Sequence, residues 1–500
     1  MASGKSIADN IVIVILSKIL ARAGSITMGI ILVRLLSQAD YGSYLQFNLL
    51  FLTITYLMIM SLPATIYYYL PRLQEEQAKG FILQTMLLLA VMAAFTCSGV
   101  YLLHERLFGS INNPGLARYL PHLLAVISLT MLLEVGEPLL ITLRRPQLLA
   151  AISVCHGLAN ISLSLTVLLL GYGLWGILTV WASLLAGRLL FYLGYLTTLP
   201  GTFRDLFQTV RPREQLGYAL PLGAGRMTGI VSGKVDKFVV SGFFSPAEYA
   251  IYGRGGLSLS VFSLFVQNVS TVILPRLVAL VKENQIAECL RLWHSVIKRA
   301  ALIIMPSFVF VYCFATHIFV LLFTERYLDS VPIFRLFVLT MPMQVAVYGI
   351  LHQAFANTRI IFFNNAALLV TNVVLSIGLY HLMGFTGPAL AAAINGYLFI
   401  FLNLAIVRGY FQVSWGRIFP WGHLLKVLVL SAALMAPVYP LVAWAGLGPA
   451  LSLSLGGGLY GALYILSLLK LGLLSEQDRE LILSWLKPAE IKRKFKLAVS

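Results

Sequence analysis

Apolar runs of around 20 residues recur from one end of this chain to the other, and each is long enough to cross about 30 Å of hydrocarbon as a helix. A water-soluble core cannot bury so much apolar surface. Of the 500 residues, 59% are hydrophobic and only 11% are charged, and the mean hydropathy is +0.87. Soluble domains hold roughly 45–50% apolar and 25% charged residues. The expectation is therefore an all-α polytopic membrane protein. Its spans are expected at 11–35, 41–70, 80–104, 119–143, 148–171 and 173–198, then at 214–241, 247–275, 296–323, 332–356, 360–381, 385–407, 423–445 and 449–470. That is about fourteen helices, with boundaries good to a few residues.

A net charge of +17 would suggest nucleic acid in a soluble protein. Here its distribution points to membrane orientation, and no nucleic-acid partner is expected. Arg72 and Lys79, Arg144 and Arg145, Arg204, Arg211 and Arg213, Arg276, Lys282 and Arg291, Arg359, and Arg408 and Arg417 fall in alternate loops. Positive residues favour the cytoplasmic face, so these loops and both termini are expected there. The four cysteines, Cys97, Cys155, Cys289 and Cys313, show no CxxC pair or neighbouring His, which leaves no metal site or disulfide framework to expect. Lys5, the apolar run from Ile11 and Ala21-Arg22-Ala23 loosely imitate a cleavable signal. Lys18 interrupts that run, and the repeat below needs the helix to stay.

The repeat is read from paired motifs. Ser37-Gln38-Ala39-Asp40-Tyr41-Gly42-Ser43-Tyr44 and Ser245-Pro246-Ala247-Glu248-Tyr249-Ala250-Ile251-Tyr252 share the pattern Ser-x-Ala-acid-Tyr-small-x-Tyr, 208 residues apart. Leu70-Pro71-Arg72-Leu73 and Leu274-Pro275-Arg276-Leu277 follow one helix later, and Gly173-Leu174-Trp175-Gly176 is answered by Gly384-Phe385-Thr386-Gly387. Six helices separate the copies, so the repeat runs parallel in the membrane, as in transporters whose substrate path lies between repeated halves. The expected organisation is an N-terminal six-helix lobe (1–200), a second six-helix lobe (201–410), two additional helices (411–472) and a basic amphipathic tail (473–500). Lys492-Arg493-Lys494-Phe495-Lys496 in that tail would attract anionic lipid.

Charged residues inside spans cost about 2.5–3.5 kcal/mol each at the centre and need a cavity or a partner. Lys18, Arg22, Ser25 and Gly29 fall within roughly 60° of one another on the first helix. Arg226, Gly233 and Lys237 share a face of the seventh, with Lys234 near its edge and Arg254 further on. Lys18 and Arg226 are also equivalent under the repeat. These six basic residues are the candidates for an anionic substrate, and Asp236 is a possible partner for Lys234 or Lys237. Glu134 and Glu137, three apart in the fourth span, can carry a proton or a sodium ion or can pair with basic residues, among them Arg188; the sequence leaves both readings open. Tyr67, Tyr68 and Tyr69 fit an interfacial anchor better than a sugar platform, and the Asn and Gln residues of the later spans fit helix-to-helix hydrogen bonds.

No catalytic or metal-ligating signature is present. Gly223 to Lys234 hints at a phosphate loop, yet Thr228 and Val235 stand where GxxxxGK[ST] needs Gly and Ser/Thr. His104-Glu105 lacks the second His of HExxH.

The sequence resembles the polysaccharide-transport, or O-antigen flippase, family of the multidrug/oligosaccharidyl-lipid/polysaccharide (MOP) exporter superfamily. Val33-Arg34-Leu35-Leu36 leading into Ser37 to Gly42 carries the likeness, with Val235-Asp236-Lys237-Phe238-Val239-Val240 and Ser245 to Tyr252. The resemblance implies two six-helix lobes plus two helices in a bacterial inner membrane. They would move polyprenyl-diphosphate-linked oligosaccharide between leaflets by alternating access, with no cofactor, and with proton or sodium coupling an option. A polysaccharide polymerase and export machinery are the further partners it implies. The rival readings are a drug/cation antiporter of the same superfamily, which would want more acidic residues in its spans, and a membrane glycan polymerase or ligase, which would want a large external loop.

Overall fold

The structure, a computed structural model, describes residues 24–201, 207, 210–257, 270, 273–357 and 359–473. Lys18 and Arg22, part of the eighth expected span and the basic tail after 473 lie outside the described residues. Among the described residues every regular element is a helix. Nine helical stretches are long and apolar enough to cross a membrane, and a bent pair, Gln38–Met58 with Leu62–Arg72, makes a tenth. One of the nine, Phe363–Phe411, holds two helices, Arg359–Met383 and Gly387–Phe411, and so covers two expected spans. The protein is a multi-pass membrane protein.

The helices in order are α1 (Gly24–Leu35), α2 (Gln38–Met58), α3 (Thr65–Tyr69), α4 (Glu75–Ser110), α5 (Leu120–Leu133), α6 (Gly136–Thr142), α7 (Pro146–Leu169), α8 (Gly173–Thr197), α9 (Pro212–Ser232), α10 (Val235–Phe243) and α11 (Pro246–Gly255). At least five expected spans prove to be broken helices among the described residues, the ninth at Phe314 among them, because apolar content does not report helix continuity. Between α2 and α3, Met60 and Ser61 take left-handed φ of 50° and 57°, and Pro63 follows. The fourth span breaks at Glu134 and Val135. The tenth breaks at Val347, with φ 35°. The seventh breaks at Gly233 and Lys234, where the freed Ser232 carbonyl accepts a hydrogen bond of 2.9 Å from Asn372 Nδ2. A break at membrane depth survives only when its backbone groups find such partners.

Packing divides the chain into two compact units, residues 1–258, 329–337 and 356–403 in one, and 259–328, 338–355 and 404–500 in the other. Within the first unit, two contacts tie α9 to α11 to the preceding helices. The first is a buried polar network. Gln84 Nε2 donates to Gln215 Oε1 (3.0 Å) and to the Val210 carbonyl (2.9 Å), while Gln215 Nε2 donates to Thr65 Oγ1 (2.9 Å) and Thr85 Oγ1 (2.8 Å). The second is the packing of α2 on α11. Further along the same unit, Asn364 donates to Asn403 (2.9 Å), and Asn395 accepts from Thr371 (2.5 Å), so these amides join helices.

In the other unit the helix Ile286–Cys313 lies along Trp421–Trp444. The last helix, Pro449–Leu471, is fastened by Tyr460, whose hydroxyl donates to the Pro306 carbonyl (3.3 Å), and by Tyr464, which donates to the Leu302 carbonyl (3.0 Å). The two helices beyond the repeat are thereby packed on an earlier helix.

Candidate functional site

The two copies of the Ser-x-Ala-acid-Tyr motif have the same structural job. Ser37 Oγ accepts from the Asp40 N–H at 3.1 Å to open α2, and Ser245 Oγ accepts from the Glu248 N–H at 3.3 Å to open α11, with Glu248 reaching back to the Ser245 N–H at 2.8 Å. Such caps are worth about 0.5–2 kcal/mol each. The capped helices then pack against each other. Gly42 is the closest point: a Cβ added there would stand 1.6 Å from the Pro246 carbonyl oxygen.

A polar seam surrounds that contact. Gln46, fully buried, donates to the Ile111 carbonyl (2.9 Å) and to Ser241 Oγ (3.0 Å). Asn113 donates to Gln46 Oε1 (2.7 Å) and Ser43 Oγ (3.0 Å), and Asn112 donates to the Phe244 carbonyl (3.2 Å). These bonds join α2, the turn after α4, and α10 at one end of the unit. The sequence reading missed Gln46, Asn112 and Asn113, since neutral amides in or beside apolar runs give no charge signal.

The basic candidates divide. Arg226 is exposed on α9, while Lys234 sits at the break and Lys237 half-buried on α10, within electrostatic reach of each other. Among the described residues no carboxylate lies within ion-pair distance of any of the three. Asp236, the partner expected for the lysines, is buried, lies within electrostatic reach of Lys237 and accepts a hydrogen bond from Tyr252 on α11 at 3.0 Å. Arg254 is committed elsewhere: its guanidinium lies over the Tyr41 ring at 4.8 Å and packs against Gly29 of α1. Cation–π contacts of this kind contribute about 0.5–2 kcal/mol.

Glu134 and Glu137 flank the break between α5 and α6 rather than sharing one continuous helix face. Tyr56 donates to Glu134 Oε1 at 3.4 Å, and Tyr67 lies within electrostatic reach of both carboxylates. Arg188 is within electrostatic reach of Glu134 and of His156, and it donates to the Tyr192 hydroxyl at 3.5 Å. The Tyr192 ring fills the space that a side chain at Gly136 would need. Both glutamates are partly exposed. Carboxylates within a span are held by a cavity or by partners, and here Tyr56 and Arg188 supply partners to Glu134.

A profile of the family described as "Polysaccharide biosynthesis protein" matches residues 31–332, more than half of the chain. The chain belongs to this family. A second profile, "Lipid II flippase MurJ", matches residues 239–452 of the family member. No curated protein matches it in sequence. Among solved structures it is similar to a lipid II flippase MurJ in an inward closed conformation, at 15% identity and a TM-score of 0.70, over 92% of this chain and 99% of that one. It is also similar to an inward-facing multidrug resistance MATE family transporter of the MOP superfamily, at 14% identity and a TM-score of 0.62, over 78% of this chain and 94% of that one. A Vibrio cholerae MATE transporter, VcmN in its bent form, matches at 13% identity and a TM-score of 0.54, over 85% and 97% of the two chains. These structures show that this polysaccharide biosynthesis family member shares the fold of the MurJ and MATE structures.

Proposed function

We propose that this protein flips a polyprenyl-diphosphate-linked oligosaccharide across the bacterial cytoplasmic membrane, for the assembly of an exported polysaccharide, by alternating access between two six-helix lobes. The observation that carries the reading is the run of three cations, Arg226, Lys234 and Lys237, none of them within ion-pair distance of a carboxylate among the described residues. Asp236, within electrostatic reach of Lys237, balances one of these charges at most, and a diphosphate supplies the rest. Charge-assisted contacts to phosphate are roughly twice as strong as neutral ones, and a guanidinium can meet two oxygens at once. Lys18 and Arg22, which lie outside the described residues, are further candidates for the diphosphate on the sequence repeat, which makes Lys18 the counterpart of Arg226. The polyprenyl tail stays in lipid, and no group on the protein makes or breaks a covalent bond. Purified protein should retain a lipid whose mass is that of a polyprenyl diphosphate plus sugars. Retention of ordinary phospholipid alone would count against the proposal.

The loop charges place Arg72, Arg144 and Arg145 on the cytoplasmic side, and the Ser37 and Ser245 turns on the periplasmic side. Reporter fusions after Arg145 and after Ser500 should both read cytoplasmic, and a periplasmic signal at either would overturn this orientation. The closed seam at Gly42 then lies at the periplasmic end.

Coupling to a proton or sodium gradient, where it operates, is assigned to Glu134 and Glu137, with Asp236 as the other carboxylate in the spans near the cations. Glu134→Gln should remove the gradient dependence of transport and leave lipid retention within about twofold of wild type, because the amide keeps the shape but not the charge. Loss of folded protein instead would assign Glu134 to a structural role beside Arg188.

A further inference from the structure

Four tyrosines near α3 make an arrangement that a membrane anchor does not require. Tyr67, Tyr68 and Tyr218 are 46%, 38% and 39% exposed. Tyr68 is sandwiched: the Arg72 guanidinium covers one face at 3.6 Å from the ring centroid, and the Tyr218 ring stacks on it at 4.7 Å with 25° between planes. Tyr69 closes the edge, 6.1 Å from Tyr218, and donates to the Glu214 carbonyl at 3.4 Å. The stack Arg72–Tyr68–Tyr218 therefore ends on the outer face of Tyr218.

Tyr67 places the cluster beside the fourth span. It lies within electrostatic reach of Glu134 and Glu137, the carboxylates at the break in the fourth span. Tyr56, 41% exposed, meets the same carboxylates through its bond to Glu134. A belt residue would present its ring to headgroups and its hydroxyl to the interface. Here an aromatic surface instead runs from Arg72, at the loop assigned to the cytoplasm, toward the carboxylates in the spans.

We infer that Tyr67 and Tyr218, held by Tyr68 and Arg72, form a carbohydrate subsite for the glycan of the lipid-linked substrate, separate from the cations that take its diphosphate. The inference rests on the flippase reading. A pyranose ring carries C–H groups on one face and hydroxyls at its rim, so it stacks on an exposed aromatic face as other flat ligands do. Stacking of this kind tolerates many sugars, because it reads a ring face and not a hydroxyl pattern. It also places the glycan at the loading end before the diphosphate enters the span.

Two probes separate the subsite from the parent reading: undecaprenyl diphosphate, and undecaprenyl diphosphate carrying one N-acetylglucosamine. Occupancy of the purified full-length protein by each is compared by native mass spectrometry. Wild type should favour the sugar-bearing lipid by about tenfold, the equivalent of one good ring stack. Tyr67→Ala with Tyr218→Ala should bring the ratio to about one, while Tyr67→Phe with Tyr218→Phe should keep most of the preference, since the ring faces survive. If the double alanine variant fails to fold, Tyr218→Ala alone serves, because that ring is exposed and its loss opens no core. Equal occupancy in wild type, or a preference that survives the alanine changes in folded protein, overturns the inference. The interfacial-anchor reading predicts that second outcome. Retention of neither probe by wild type would overturn the flippase reading itself, and the subsite with it.

Discussion

Gly42→Leu should open the seam between α2 and α11 and produce the largest loss of transport of any single uncharged substitution. The contact at Gly42 is with backbone, so no rotamer change can relieve it: a Cβ would fall 1.6 Å from the Pro246 carbonyl oxygen. Overpacking of this kind costs about 1–3 kcal/mol even where side chains can yield. The helices must separate toward the roughly 8–10 Å that ordinary side chains require between helix axes. That separation pulls Gln46 from Ser241 and leaves buried amides unpaired, at about 1–3 kcal/mol each. Spin labels at Ala39 and Glu248, both exposed on the capped turns, would read the change. Their distance should lengthen by about 2 Å or more, and the initial transport rate should fall about tenfold or further. An unchanged distance with normal transport would show that the seam does not close the periplasmic end.

The second large effect is expected from charge. Neutralising Arg226, Lys234 and Lys237 together to Gln should weaken retention of undecaprenyl diphosphate at least about a hundredfold, since hydrogen bonds to charged groups are worth about 1.5–3 kcal/mol each. Arg226→Lys should lose less than Arg226→Gln, because the point charge stays and only the bidentate fork goes. Snorkelling residues would behave differently: the triple variant would bind and transport normally, with a lower yield of folded protein. Arg254 offers the contrast within the same protein. Its place over Tyr41 makes Arg254→Gln a change in packing, expected to lower stability rather than affinity.

Much of the architecture was legible because hydrophobic runs report burial in lipid directly. The repeat was legible because capping chemistry leaves a fixed spelling: Ser37 with Asp40 and Ser245 with Glu248 are three residues apart because an N-cap side chain meets the third helical residue. Gly173 and Gly384 recur for a similar reason, since both take left-handed φ, 54° and 62°, at the turns before their helices. The helix breaks were not legible. Met60, Ser61 and Val347 are ordinary residues for a helix, and their left-handed backbone is imposed by packing. Of the candidate site, the charged residues announced themselves by their cost in a span. The hydrogen bond from Tyr252 to Asp236 did not, because Tyr252 stands 16 residues away in sequence and is brought in by the packing of α10 on α11. The seam amides and the stack on Tyr218 are likewise products of which helices meet.

Movement of a lipid-linked glycan by the protein is open to direct measurement. Its most direct test is reconstitution into vesicles that contain lipid-linked oligosaccharide extracted from cells producing this protein, with the glycan exposed on the far leaflet measured by lectin binding over time. Protein-dependent appearance of the glycan, lost in the Arg226, Lys234 and Lys237 triple variant, is the result the account predicts; vesicles that leave the glycan in place while the same protein exports a cationic dye would contradict it.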